Sequence, residues 1–386
     1  MDGIIRTLFG SKTFNQVTIS PDGKQVAWVE DHAGLPEIYV AGLDGSKQHR
    51  ISVAAKGSSR ASEDSLAWSP DSKRLAFLSD AAKPGQAQLY IVNAAGGSAR
   101  RVTHVKGLLA TPGWSPDGKS LAVLFTENAA RAAGPLAAEN ARTGVIQDSV
   151  TEQRLAVVDA ASGKTAQISP PNMYVYEYDW SPDGKGFVTT AAPGNGDDNW
   201  YIAQIYTLNA RGGAMKSIYK PTLQVAVPAW SPDGKSIAFI SGLMSDEPAV
   251  GGDIFVVPAS GGEARNVTPD MKASANWLTW TANGNKILFG EDVNGEAGIA
   301  TVEPATEKIE TLFHGPEQLT ASGWGTEISL AADGNASAVI RQSLAHPPEV
   351  WAGAIGQWKQ ITSRNEKLKP AWGEAKSIQW SNEGFN

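Results

Sequence analysis

Residues Gly113–Ser120 read GWSPDGKS, which satisfies the phosphate-loop pattern G-x-x-x-x-G-K-[ST] letter for letter. A phosphate loop needs a strand before it and a helix after it, so that the helix amino terminus receives the phosphate. Here the residues from Lys119 onward, KSLAVLF, read as a strand, and the equivalent stretch at Trp230 has Ala229 where Gly113 stands. The motif is a hairpin that happens to spell a nucleotide-binding loop.

What decides the matter is repetition. ISPDGKQVAWVED begins at Ile19, WSPDSKRLAFLSD at Trp68, WSPDGKSLAVLFT at Trp114, WSPDGKGFVTTAA at Trp180, WSPDGKSIAFISG at Trp230, WTANGNKILFGED at Trp280 and a worn LAADGNASAVIRQ at Leu330. Counted from the residue after the leading Trp, Ile or Leu, the copies start at 20, 69, 115, 181, 231, 281 and 331, a period near 50 broken once by a 66-residue interval.

Each copy has turn chemistry. Pro21, Pro116, Pro182 and Pro232 preset φ for the second turn position, Asp22, Asp117, Asp183 and Asp233 suit the third, and Gly23, Gly118, Gly184 and Gly234 take the left-handed position after it. Behind each turn runs a continuously apolar stretch such as Ile237–Ile240, the mark of a strand covered on both faces. A third strand follows, as in EIYVAGLDG from Glu37, QLYIVNAAGG from Gln88 and DIFVVPASGG from Asp253, and then a short fourth such as ARNVT or WKQIT. Seven four-stranded antiparallel units predict an all-β, seven-bladed propeller over residues 1–371, with 372–386 as a closing strand or linker.

Composition agrees. The 386 residues include 40 Gly, 22 Pro and 13 Trp, with 41% hydrophobic and 19% charged residues. A formal charge of −7 without a basic run disfavours nucleic acid as a partner. No stretch has the length of an apolar membrane span, and the start MDGIIRTLFGSK lacks the apolar core of a signal peptide. The compartment stays open: cytoplasmic, or periplasmic or secreted if a signal peptide preceded Asp2. There is no cysteine, and the five histidines (His32, His49, His104, His314 and His346) are not spaced as metal ligands. No cofactor, metal or catalytic residue is expected from this chain, which also lacks the G-x-S-x-G nucleophile elbow.

Two irregularities carry the candidate substrate contacts. The long third interval places TENAARAAGPLAAENARTGVIQDSVTEQ between Thr126 and Gln153, a loop on one rim that contains Arg131 and Arg142. The stretch APGNGDDNWYIAQ from Ala192 holds Asp197, Asp198 and Trp200, where paired carboxylates suit a cationic group such as a peptide amino terminus but do not follow a calcium-loop spacing.

The SPDGK copies, each followed by an apolar strand and an EIYV-like strand, resemble the propeller repeats of TolB and of the prolyl oligopeptidase family of serine peptidases. GDDNWYIAQIYTLN from Gly196, PPEVW from Pro347, QITSRNEKL from Gln360 and SIQWSNEGFN from Ser377 are similar to the acylaminoacyl-peptidase and dipeptidyl-peptidase-like branch. The resemblance implies a non-catalytic amino-terminal propeller that filters short peptides for a carboxy-terminal α/β-hydrolase domain. The free-standing alternative is a TolB-like scaffold that docks proteins on one rim. An exposed apolar rim would favour the first and a uniformly polar one the second. YEYDW from Tyr176 has a single Glu and runs straight into a repeat turn, so the paired-glutamate role of dipeptidyl members is not carried over to it.

Overall fold

The Ser of each SPDG motif, to which turn geometry assigns no role, ties the hairpin together. Ser20, Ser115, Ser181 and Ser231 each donate Oγ to the carboxylate of the motif Asp at 2.7–2.8 Å. The same oxygens accept the backbone N–H five residues on at 2.9–3.0 Å. The motif Gly takes φ of 68°, 65°, 67° and 70° at positions 23, 118, 184 and 234, a left-handed conformation that costs glycine nothing.

The computed structural model describes residues 10–31, 34–51, 53, 61–129, 151–194, 197–244, 250–322, 325–368, 378 and 380–382. Seven antiparallel sheets follow in chain order. Their first strands are Phe14–Ile19, Glu63–Trp68, Gly107–Trp114, Met173–Trp180, Gln224–Trp230, Ser274–Trp280 and, in blade seven, the broken pair Gln318–Thr320 and Ser329–Leu330. Each sheet is a simple meander whose second strand is buried almost end to end, as in Ser236–Gly242. Fourth strands such as Arg100–Arg101 and Lys308–Gly315 are short or largely exposed. The first strands are therefore innermost and the fourth form the outer wall.

Packing follows from the two apolar faces of each blade. Every junction holds its own cluster, for example Trp28-adjacent Ala27, Val29 and Ile38 against Leu66, Leu75 and Phe77 between blades one and two. Burying one such side chain contributes about 1.5–3 kcal/mol. Hydrogen bonds then fix the rotation between blades. The indole N–H of Trp68, Trp114, Trp180 and Trp280 donates across the junction to the carbonyl of Thr18, Ala67, Gly113 and Ala229 at 3.0–3.3 Å.

Among the described residues no strand is shared between blades one and seven, whose strands lie within Phe14–Ile51 and between Gln318 and Gln360, and most of 372–386, expected as a closing strand or linker, lies outside the described residues. The junction of these two blades is sewn by other means. Val17 N–H donates to the Ala321 carbonyl at 2.7 Å, Ile19 N–H to Ser329 Oγ at 3.0 Å and Ala332 N–H to the Pro21 carbonyl at 2.9 Å. Asn365, 1% exposed, accepts from Lys12 N–H at 2.8 Å and donates back to the Lys12 and Pro348 carbonyls. Arg364 reaches Glu30 at 2.8 Å. Asn365→Ala orphans buried backbone groups on both ends of the chain and is expected to cost roughly 2–3 kcal/mol, read as a shift in the urea unfolding midpoint at constant m-value.

Candidate functional site

Strand alternation sorts the loops between two rims. The SPDG turns and the turns joining third to fourth strands emerge at one end of the ring; the connections from second to third strand and from blade to blade emerge at the other. Four of the most exposed large apolar side chains sit in second-to-third connections: Tyr201 (50%), Ile202 (58%), Leu243 (84%) and Leu344 (59%). A fifth, Leu223, lies in the link from blade four to five. The chain leaves blade seven at this same rim, and beyond it Ile378 and Trp380 are each 76% exposed. The loop rim is thus apolar on the side where the polypeptide runs on.

Of the candidate contacts of the sequence, Asp197, Asp198 and Trp200 belong to the second-to-third connection of blade four. Asp197–Ile202 forms a short 3-10 helix of six residues. It points Trp200, 2% exposed, into a cluster with Tyr174, Tyr176, Ala226 and Met244, so that ring packs the junction while Tyr201 and Ile202 face outward. The side chains of Asp197 and Asp198 lie outside the described residues, as do Arg131 and Arg142.

The inner wall has a feature that turn and strand patterns did not single out. The seven first strands contain no Lys, Arg or His, yet Asp64, Glu177 and Asp179 lie on them and Glu327 adjoins Ser329–Leu330. Desolvation pushes the carboxyls of Asp64, Glu177 and Glu327 above their ordinary range. It pushes Asp179 up to about 6, against the opposing effect of the Trp230 and Trp180 N–H groups. These side chains are partly accessible and yet densely enclosed by the blades around them.

Glu177 and Asp179 occupy the YEYDW strand. Alternation sends Tyr178 and Trp180 back to blade three, where Tyr178 O–H meets the carbonyls of Thr111 and Ala122. It sends the two carboxylates forward to blade five. Glu177 accepts Val227 N–H with both oxygens at 3.1 and 3.0 Å, and Asp179 Oδ2 accepts Trp230 N–H at 2.9 Å. Val227 is β-branched with φ of 54°, a strained conformation that this contact pins. In blade one the corresponding residue is the neutral Gln16, bonded to Leu66 through both amide atoms. A charge in place of an amide was the signal available in the sequence.

No hydrogen-bonded chain of Ser, His and carboxylate occurs among the described residues: His314 meets Glu296, and His346 meets Ser343. No group of three or more His, Cys, Asp or Glu side chains among them is placed to hold a metal, and no described helix is long and apolar enough to cross a membrane.

The architecture defines a propeller of TolB-type repeats, and comparison with known proteins agrees. Residues 15–154 match the family model described as the TolB beta propeller domain. Dipeptidyl-peptidase 5 of Porphyromonas gingivalis is 30% identical over 148 residues, which are 36% of this chain and 19% of that protein. Among solved structures, Pyrococcus horikoshii acylaminoacyl peptidase superposes with a TM-score of 0.65 at 14% identity, over 92% of this chain and 53% of that one. The propeller domain of the Trilobed protease from Pyrococcus furiosus, described as having an open velcro topology, superposes with a TM-score of 0.64 at 12% identity, over 92% of this chain and 99% of that domain. The chain thus has the fold of peptidase propeller domains and spans about half of the acylaminoacyl peptidase and a fifth of the dipeptidyl peptidase.

Two outcomes test the inner wall. A carboxyl whose pKa is raised in the fold binds its proton more tightly there than in the unfolded chain, so Asp179 favours the fold at low pH. That contribution is lost as pH rises from the ordinary value of 3.8 through about 6. Asp179→Asn keeps an acceptor for Trp230 N–H and is expected to flatten urea stability over this window, gaining about 1–3 kcal/mol at pH 7.5. The indole N–H of Trp230 has no partner, unlike that of Trp114. Trp114→Phe should therefore cost at least about 1 kcal/mol more than Trp230→Phe in the same assay.

Proposed function

We propose that the chain is the non-catalytic, substrate-gating propeller of a prolyl-oligopeptidase-type serine peptidase, which admits short peptides and seats an α/β-hydrolase domain of the same parent protein on its loop rim. The observation that carries this reading is the exposed apolar rim formed by Tyr201, Ile202, Leu223, Leu243 and Leu344 on the side where the chain leaves blade seven. A broad apolar face rimmed by polar residues is what a covered interdomain surface looks like without its partner. Filtering is steric: a folded substrate is wider than a propeller channel or a gap between blades, so exclusion needs no catalytic group.

A second reading, a free-standing scaffold that docks proteins on one rim, draws support from the TolB family match over residues 15–154. The two separate in one experiment. The purified chain and a chain extended through the native reading frame are assayed with acyl-aminoacyl and dipeptidyl nitroanilides. The gating reading expects no turnover from the short chain, turnover from the long one, and a G-x-S-x-G elbow in the added sequence. Turnover by the short chain, or a stop codon directly after Asn386, overturns it. In the long chain Leu243→Asp is expected to loosen domain docking and let larger substrates in, seen as loss of size discrimination in kcat/KM between a tripeptide and a 30-residue peptide.

A further inference from the structure

We infer that the ring parts between blades four and five at the SPDG rim, hinging on the Trp200 end of that junction and opening a lateral wedge toward the central channel. The inference does not depend on the peptidase reading.

Three independent features mark this junction. The first is the indole ladder. Where the first strands of blades one to four and five to six meet, a Trp N–H crosses to a carbonyl; at the blade four to five junction the equivalent atom, Nε1 of Trp230, is buried and has no partner. The second is the contact between successive turns. A methyl group on Gly118, Gly184 or Gly284 would lie 3.5–3.6 Å from Cδ of Pro70, Pro116 or Pro232 in the preceding motif, whereas one on Gly234 meets nothing within 4 Å, although Pro182 is present. Gly334 also meets nothing, but there the preceding motif has Ala282 in place of Pro.

The third feature is space. A cleft of about 720 Å³ runs between these blades from Lys216 on the fourth strand, past Pro182 and Gly234, to Trp230 on the first. A cleft of about 830 Å³ between blades one and two reaches no first-strand residue. At this junction the first strands are joined instead by Glu177 and Asp179, accepting from Val227 and Trp230 N–H.

The opposite end of the same junction is tight. Trp200 packs with Tyr174, Tyr176 and Ala203 against Ala226, Ile240 and Met244. Every junction has an apolar cluster to break, and the outer contact of Lys216 Nζ with the Ser260 carbonyl at 2.7 Å has counterparts elsewhere in Arg100 with Ala160 and Arg265 with Pro304, so the inner polar contacts and the packing of the SPDG turns decide which junction opens at least cost. Separation is therefore easiest at the turn end, where the indole gains a water partner and the carboxylates regain hydration. The junction of blades one and seven is by contrast bonded along its length.

Hydrogen exchange followed by mass spectrometry on the unmodified chain tests this. The peptide covering Ala229–Gly234 is expected to exchange at least tenfold faster than those covering Gly113–Gly118 and Thr279–Gly284, with Tyr174–Tyr176 protected. Equal rates, or fastest exchange at Ile19–Gly23, overturn the proposal. The chain has no native cysteine, so Lys185→Cys with Lys235→Cys, both on exposed side chains, can be bridged by a short bis-maleimide. Bridging is expected to bring Ala229–Gly234 down to the rate of the other turns, and an unchanged rate overturns the hinge.

Discussion

A blade with two apolar faces cannot exist alone, and everything else in this molecule follows from that constraint. The second strands are buried on both sides, so each sheet needs a neighbour before and after it, and the array is stable only when it closes on itself. What varies from one junction to the next is the polar detail laid over the same apolar contact. Trp68, Trp114, Trp180 and Trp280 each reach back to the blade before them, and the Ser and Asp of the motif hold the turn in shape.

That uniform scheme makes the exceptions informative. Blades one and seven meet at a junction dense in hydrogen bonds through Asn365, Ala321 and Ser329. Between blades four and five the motif letters are intact on both sides, yet the turns do not touch and two enclosed carboxylates replace neutral contacts. A buried carboxyl whose ionisation is resisted is a poor fastener compared with the Gln16 amide, which offers a donor and an acceptor at once without a charge to desolvate. Such a site is stable in the closed ring and yet has something to gain from water.

The two rims divide the labour. Turn chemistry fixes one, with Gly, Pro and Asp spent on reversing the chain, and leaves it polar. The other carries the long connections, where Tyr201, Ile202, Leu243 and Leu344 expose half or more of their surface. Leucine and isoleucine are held out in water on the rim from which the chain leaves blade seven.

The sequence by itself determined the repeat, the number of blades and the position of every SPDG turn, because turn geometry and two-sided burial are local properties that leave a local pattern each 50 residues or so. Which way a side chain faces between blades was decided only by the tertiary structure. Trp200 reads as an exposed aromatic in a polar loop, but a short 3-10 helix carries it into the core. Glu177 and Asp179 read as an ordinary charged strand, and only the approach of Val227 and Trp230 from a strand 50 residues away makes them junction residues. Burial and desolvation depend on what lies across a gap, and no local pattern encodes the other side.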